Sequence, residues 1–233
     1  MSFNRKAKLR DNIEAIRTVL LIDKENRKAT SQEQEILQRY CGFGGLKCIL
    51  NPATSLSDSM QWPKADLELF PMVTELHNLI RTNVENDQEY KKYIGSLKNS
   101  ILTAFYTPAE VVSTIADTLR DSGIAPNRFL DPSAGQGAFV SAFKLQSANM
   151  DVMSFEKDLL TGKLLSKLYP DDKVRIEGFE TIERRYNNYF DVISSNIPFG
   201  DVAAFDPAFI NSQDKAKQQF CTSYSQLLFC KGN

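Results

Sequence analysis

Apolar residues near the start of the chain recur at the spacing of one helix face. The residues that define this face are Leu9, Ile13, Ile16, Val19, Leu20 and Ile22. Their spacing predicts an amphipathic helix over residues 8–28. Thr30 and Glu33 have the spacing of a capping box, so a second helix is expected to begin there. Two further helices are predicted over residues 67–79 and 87–96. We therefore predict a helical amino-terminal extension over residues 1–100.

From residue 127 onward, short apolar strands alternate with helical stretches. Strands are predicted over residues 129–130, 151–155, 174–176 and 190–194. Helices are predicted over residues 109–119, 138–147, 158–168, 181–186 and 215–230. Thr107 is expected to cap the first of these helices, with Pro108 at its first position. Alternation of this kind predicts parallel strands with right-handed crossovers, so residues 101–233 are expected to form an α/β domain.

Two loops of the extension are rich in turn-forming residues. Residues 41–46, Cys-Gly-Phe-Gly-Gly-Leu, follow the second predicted helix. A glycine-rich stretch in this position usually caps a helix and reverses the chain; a loop that faces a ligand or partner is the alternative. Residues 51–63 are rich in Ser, Pro and Asn, and Trp62 is expected to pack its ring inward from this loop.

Composition argues against several classes of protein. Of 233 residues, 42% are hydrophobic and the formal net charge is -1, so the chain lacks a polyelectrolyte signature. Contact with DNA would need a local patch or other domains of a larger protein. His77 is the one histidine, which argues against a histidine-based metal site and a Ser-His-Asp triad.

The cysteines and the hydropathy pattern favour a cytoplasmic protein. Cys41, Cys48, Cys221 and Cys230 lack metal-ligand spacing and are expected to be reduced core residues. We therefore predict no metal. There is no apolar run of about 18 residues that could span a membrane, and the amino terminus lacks a signal-peptide core. The predicted location is the cytoplasm, without a membrane partner.

A glycine turn after the first predicted strand is the first candidate for chemistry. Residues 131–139 read Asp-Pro-Ser-Ala-Gly-Gln-Gly-Ala-Phe. Gly135 and Gly137 let the backbone approach a ligand without a Cβ in the way. Asp131 suits an ammonium group, such as a methionine amino group, better than a pyrophosphate. By itself this spacing is a weak signal, because any tight strand-to-helix turn can hold it.

Carboxylates follow the next two predicted strands. Glu156 can accept hydrogen bonds from both ribose hydroxyls of an adenosine, although an exposed helix-capping role fits the same position. Glu180 can accept from an adenine amino group while Phe179 packs on the ring; a surface turn with a buried Phe is the alternative. Open α/β sheets bind ligands at the carboxyl ends of their strands, where these residues are expected to meet.

Residues 196–199, Asn-Ile-Pro-Phe, follow the fourth predicted strand. An exocyclic aromatic amine is a poor nucleophile because its lone pair is delocalised into the ring. The Asn196 side-chain oxygen and the Ile197 carbonyl can each accept one N–H, which localises the lone pair toward an incoming methyl group. Phe199 can stack on the target base. A plain turn after a strand is the alternative.

These segments resemble the adenine-specific DNA methyltransferases of the class I, S-adenosylmethionine-dependent fold. Residues 131–139 are similar to the family's cofactor loop, D/E-P-x-x-G-x-G-x-F, and residues 196–199 to its N-P-P-Y/F catalytic motif. Residues 103–108 resemble the segment that covers the methionine end of the cofactor. Residues 40–46 and the helices around them are similar to the lead-in of large methyltransferase–helicase proteins of phages and conjugative elements. The resemblance covers nearly the whole chain.

The resemblance implies a Rossmann-like fold, S-adenosyl-L-methionine as cofactor, and methyl transfer to the adenine amino group in DNA, as in restriction-modification systems. The implied catalytic residues are Asn196, Ile197, Pro198 and Phe199. The implied cofactor-binding residues are Tyr106, Thr107, Asp131, Ser133, Ala134, Gly135, Gly137, Phe139, Glu156, Lys157, Phe179, Glu180 and Asn196.

The chain departs from the family at two points. Ile197 stands where the first proline of the motif is usual, but the acceptor there is a backbone carbonyl, and Pro198 keeps Ile197 extended. Family members also continue into further strands after the helix predicted at residues 215–230. We therefore expect an incomplete, C-terminally truncated sheet, whose open edge accepts a partner chain or a second copy as a homodimer.

Two other classes of function remain open. One is a non-catalytic cofactor-binding or assembly module, for example an antirestriction component of a mobile element. The expected incomplete sheet and the near-neutral charge favour this class. The other is methyl transfer to a protein glutamine amide or to RNA, because the Asn-x-Pro-aromatic motif also serves planar amides.

Overall fold

The computed structural model describes residues 4–104 and 106–196, which divide into two compact units. The first unit comprises residues up to 105 together with residues 158–168, and the second comprises residues 106–157 and those from 169 onward. The α-helices are α1 (Arg5–Glu25), α2 (Ser31–Gln38), α3 (Phe70–Thr82), α4 (Asp87–Thr103), α5 (Ala109–Asp121), α6 (Ala138–Gln146) and α7 (Leu159–Leu168). The strands are β1 (Arg128–Asp131), β2 (Asp151–Phe155), β3 (Lys173–Arg175) and β4 (Val192–Ile193). In the described part of the chain no helix is long and apolar enough to cross a membrane.

The predicted amino-terminal helix is confirmed as α1. Asn4 caps its start by accepting the Ala7 N–H at 3.1 Å, and Asn26 ends it in the left-handed conformation. The apolar face predicted from the sequence is buried in the core of the first unit. The capping box of α2 is also confirmed, since Thr30 and Glu33 exchange their two bonds. Hydrogen bonds from Arg27 lower the pKa of Glu33 to about 2.

The glycine-rich loop at residues 41–46 packs into the first unit through buried Gly42, Phe43 and Leu46, while Gly45 is exposed. The side chain of Asn12, on α1, bonds the loop twice: it donates to the Gly42 carbonyl at 2.7 Å and accepts the Cys41 N–H at 2.9 Å. Phe43 is fully buried, and its N–H donates to the Ser100 hydroxyl on α4. The loop therefore joins α1 to α4 through the core, whereas α2 has already ended at Gln38.

Helix α7 belongs to the first unit although the chain reaches it from β2 and leaves it toward β3. Leu160 and Leu164 are buried in the same core as α1 and α4. Asp158 caps α7 by accepting the Thr161 N–H at 2.9 Å, and Ser96 on α4 donates to the same carboxylate at 2.6 Å. The core of the first unit is therefore completed by a helix that comes late in the chain.

The second unit contains a parallel four-stranded sheet in the order β3-β2-β1-β4. Side chains alternate across β1, so that Phe129 packs with Phe143 of α6 at 4.6 Å between ring centroids, and Leu130 packs with Phe155 and Phe179 in a separate cluster. Helices alternate with the strands in sequence. The arrangement is consistent with a Rossmann-like α/β fold.

Several boundaries differ from the prediction. Residues 181–186 are not one helix, because two short 3₁₀ turns, Phe179–Thr181 and Arg184–Tyr186, occupy this stretch. Helix α4 continues beyond residue 96 to Thr103. The predicted cap by Thr107 is wrong: Pro108 itself occupies the cap position, without a side-chain bond, and α5 begins at Ala109. Trp62 packs inward as predicted, and its indole N–H donates to the Pro52 carbonyl at 2.8 Å. The helix predicted over residues 215–230 lies outside the described residues.

Candidate cofactor and target site

The carboxyl ends of β1 and β4 lie side by side. Leu130 pairs with Ile193 in parallel register, and the Ser194 N–H donates to the Leu130 carbonyl at 3.1 Å. One residue later the Ser195 hydroxyl donates to the Ser133 carbonyl at 3.3 Å. The predicted cofactor loop and the start of the predicted target motif are thus adjacent. Asn196 is partly buried, and Ile197, Pro198 and Phe199 lie outside the described residues.

The turn at Gly135 strongly favours glycine. Its φ is +55°, and a Cβ there would lie 3.1 Å from Cε1 of Tyr106. The ring of Tyr106 therefore packs directly on the loop. Gly137 is also left-handed, with φ +81°, and leads into α6. Two backbone bonds hold the loop in place, from Ala134 N–H to the Phe155 carbonyl at 2.9 Å and from Gly137 N–H to the Ala134 carbonyl at 2.8 Å.

Glu156 lies beside the same loop, immediately after β2. Its Oε2 accepts the Gly135 N–H at 2.8 Å, and its own N–H donates to the Arg175 carbonyl at 3.0 Å. These bonds orient a partly buried carboxylate at the glycine turn. This is not the exposed helix-capping position that was the alternative, because Asp158 caps α7 instead.

Asp131 is fully buried at the end of β1. Its Oδ1 accepts the Ser133 N–H at 3.2 Å, whereas Oδ2 is buried with no hydrogen-bond partner in the described residues. Burial raises the pKa of Asp131 to about 7, and the nearby Ser195 hydroxyl and Ser133 N–H limit that rise. A buried carboxylate oxygen without a donor is costly to ionise, so this atom suits a cationic or N–H donor from a ligand.

The residues after β3 form a second carboxylate position. Glu180 lies folded over Gly178, where a Cβ would come within 2.2 Å of both carboxylate oxygens. Lys157 reaches the same carboxylate at 3.2 Å from a largely exposed side chain. Phe179 is fully buried and meets Phe155 edge to face, with 5.4 Å between ring centroids. The buried ring matches the alternative interpretation of Phe179; its contact with an adenine stays a prediction.

The other predicted cofactor residues differ in their exposure. Ala134 and Phe139 are buried, and Phe139 contributes to the core on the α6 side of the sheet. Ser133 and Thr107 are partly buried. Within the ranges that the structure describes, no group of three His, Cys, Asp or Glu residues is placed to hold a metal ion.

Two residues of this region were not predicted as part of a site. Ser195 carries the contact between the two loops, and its one signal in the sequence is its place directly before Asn196. Gly178 leaves the space that the Glu180 carboxylate fills. A glycine two residues before a candidate carboxylate is a signal that the sequence contains, although its meaning depends on the fold.

The chain is distantly similar to Defense against restriction protein B of Escherichia phage P1. The two are 27% identical over 107 residues, a stretch that covers 46% of this chain and 5% of the phage protein. The matched stretch is thus a small part of that much longer protein. No protein-family model matches the chain, and no solved structure matches it significantly.

Proposed function

We propose that the chain is the methyltransferase part of an adenine-specific DNA methyltransferase, with residues 101–233 as the catalytic domain and residues 1–100 as a helical extension. The observation that carries this proposal is the contact between Ser195 and Ser133. It joins the loop that resembles a cofactor motif to the segment that resembles a catalytic motif. Ligands of open α/β sheets bind at this edge.

The residues of the loop fit S-adenosyl-L-methionine, which supplies an electrophilic methyl group on its sulfonium when bound. The unpartnered Oδ2 of Asp131 is suited to the amino group of the methionine moiety. Glu156, fixed by Gly135, is suited to the ribose hydroxyls. Tyr106, which packs on Gly135, is suited to cover the methionine end. Glu180 and Phe179 are assigned to the adenine.

Asn196 is assigned the activation of the target amine. Its side-chain oxygen would accept one N–H of the adenine amino group, and the Ile197 carbonyl the other. Phe199 would stack on the base, which contributes about 1–3 kcal/mol toward the few kcal/mol that base flipping costs. The assignments of Ile197, Pro198 and Phe199 rest on the sequence alone. Positioning can supply much of the rate of the attack without a general base. S-adenosylhomocysteine would leave as the N–CH3 bond forms, and the proton that the methylated amine must lose would pass to solvent.

The proposal is tested by calorimetry with S-adenosylmethionine, followed by transfer of a labelled methyl group to DNA, RNA or a glutamine-containing protein. We expect binding by the wild-type chain and label in DNA. Asn196→Ala should abolish transfer and spare cofactor affinity, and the exposed Glu110→Ala should change neither. Label in RNA or protein instead of DNA would show that the proposed substrate is wrong. Absence of binding heat would contradict the whole assignment.

A second candidate is a non-catalytic role in defence against restriction, which the similarity to the phage P1 protein favours. The two candidates are separated by a restriction challenge of DNA from cells that express the chain. Protection that is lost in Asn196→Ala indicates methylation. Protection that persists in this variant indicates a role without catalysis.

A further inference from the structure

A hydrogen bond from Ser195 links the two loops of the candidate site. Its hydroxyl donates to the Ser133 carbonyl at 3.3 Å. Asp131 accepts the Ser133 N–H at 3.2 Å. The Ser133 backbone is therefore bonded both from within the cofactor loop and from the neighbouring segment.

At 3.3 Å the bond from the Ser195 hydroxyl to the Ser133 carbonyl is long for an O–H···O bond. Its acceptor belongs to a turn whose Ser133 N–H is bonded to the fully buried Asp131. The backbone of Ser194 is already fixed to Leu130 by the last bond of the β1–β4 ladder. Ser195 is thus the first residue after the ladder, and its own side-chain bond holds it to the cofactor loop.

We propose that Ser195 is a positioning residue that clamps the target segment to the cofactor loop and thereby sets the place of Asn196. The inference rests on the proposed function, since Asn196 acts there as the acceptor for the target amine. In this proposal Ser195 acts through Asn196 and is not assigned a contact with the cofactor or the base. Loss of the clamp leaves the cofactor residues Glu156 and Tyr106 in place, and displaces the amide that must face the methyl group.

The chain offers a matched pair of variants. Ser195→Ala removes the clamp, and Ser195→Thr keeps the hydroxyl. The adjacent Ser194→Ala is the control, because the Ser194 side chain makes no hydrogen bond in the described residues. Circular dichroism and thermal melts establish that each variant is folded. Cofactor affinity, kcat, KM for DNA and amide hydrogen exchange at residues 195–196 are then measured for all four proteins.

For Ser195→Ala we expect unchanged cofactor affinity, faster exchange at residues 195–196, and a fall in kcat of about 10- to 100-fold with little change in KM, as displacement of a reacting group by about 1 Å produces. Ser195→Thr should restore both exchange and kcat, and Ser194→Ala should match the wild type. If amide hydrogen exchange at residues 195–196 were equally fast in Ser195→Ala and Ser194→Ala, the inference that Ser195 clamps the segment would be overturned.

Failure of the proposed function gives a different result. A wild-type chain that binds no cofactor or transfers no methyl group contradicts the methyltransferase assignment. The exchange comparison between Ser195→Ala and Ser194→Ala still decides whether Ser195 holds the segment. Wild-type kcat in a Ser195→Ala protein that exchanges faster would show that the clamp exists but does not position Asn196, and would also overturn the inference.

Discussion

The Gly135 N–H donates a hydrogen bond to Oε2 of Glu156 across 2.8 Å. The glycine turn after β1 and the carboxylate after β2 therefore hold each other in position. A carboxylate fixed in this way loses little conformational freedom when a ligand binds to it. The bond explains how a side chain at a strand end can be preorganised for a ligand, in the proposed function a ribose, without support from a helix cap.

Replacement of Glu156 should weaken cofactor binding. Hydrogen bonds to charged groups contribute about 1.5–3 kcal/mol each, so Glu156→Ala is expected to raise the Kd for S-adenosylmethionine at least about tenfold. Glu156→Gln keeps an acceptor and should lose less. Calorimetry measures both, with the exposed Glu110→Ala as the control. An affinity that is the same in all three variants would remove Glu156 from the site.

A side chain at Gly135 should destabilise the protein more than one at Gly123. Both residues have positive φ, and Gly123 has open space around it, whereas a Cβ at Gly135 meets the Tyr106 ring. The positive φ costs each alanine variant about 1–2 kcal/mol. At Gly135 alone, the contact of the new Cβ with the Tyr106 ring adds a further loss of stability of about 1–3 kcal/mol, which is typical of overpacking. Urea unfolding measures the difference, and Tyr106→Ala should reduce it in the double variant. Equal losses at both glycines would contradict the close packing.

Asp131 should make stability decline as the pH rises from about 4 to about 7. Its folded pKa is raised from 3.8 to about 7, so in this window the folded chain keeps a proton that the unfolded chain releases. The free energy of unfolding therefore decreases with pH. In Asp131→Asn this part of the slope is expected to disappear, which denaturant unfolding at several pH values tests. An identical pH dependence in the variant would show that Asp131 does not titrate there.

His77 should have the opposite effect. The buried ring bonds the Ile49 carbonyl through Nε2 at 2.8 Å and the Tyr90 hydroxyl through Nδ1 at 2.7 Å. Burial lowers the pKa of His77 below its usual 6.5. As the pH falls through 6.5, the unfolded chain therefore takes up a proton before the folded chain does. The free energy of unfolding then decreases with acidification, by at most about 1.4 kcal/mol per pH unit. His77→Gln should flatten this slope; a slope that persists would assign it to another group.

The strands and the glycine turn were predictable from the sequence because their signals are local. Apolar runs mark β1 and β2, and Gly135 lies where positive φ is needed. The extent of α4 and the cap of α5 were not predictable from local signals: α4 continues to Thr103, and Pro108 rather than Thr107 takes the cap position of α5. In each case the error is confined to the boundary of an element that does form.

The parts of the site that depend on distant pairing could not be predicted. Ser195 meets Ser133 across 62 positions of sequence, only because β1 and β4 are parallel neighbours in one register. The membership of α7 in the first unit depends likewise on burial of Leu160 and Leu164 against helices far away in the chain. Periodicity predicted that α7 is a helix, but gave no information about the core that it joins.

The placement of α7 has a consequence for synthesis of the protein on the ribosome. The first four helices are complete once residue 103 has been made. At that point their core still lacks Leu160 and Leu164, and Asp23 still lacks the two lysines that pair with it. Two strands of the sheet, β1 and β2, must be translated before that gap closes. Completion of the helical core therefore depends on residues that are translated after two strands of the sheet, and a fragment ending at residue 105 should expose apolar surface and aggregate.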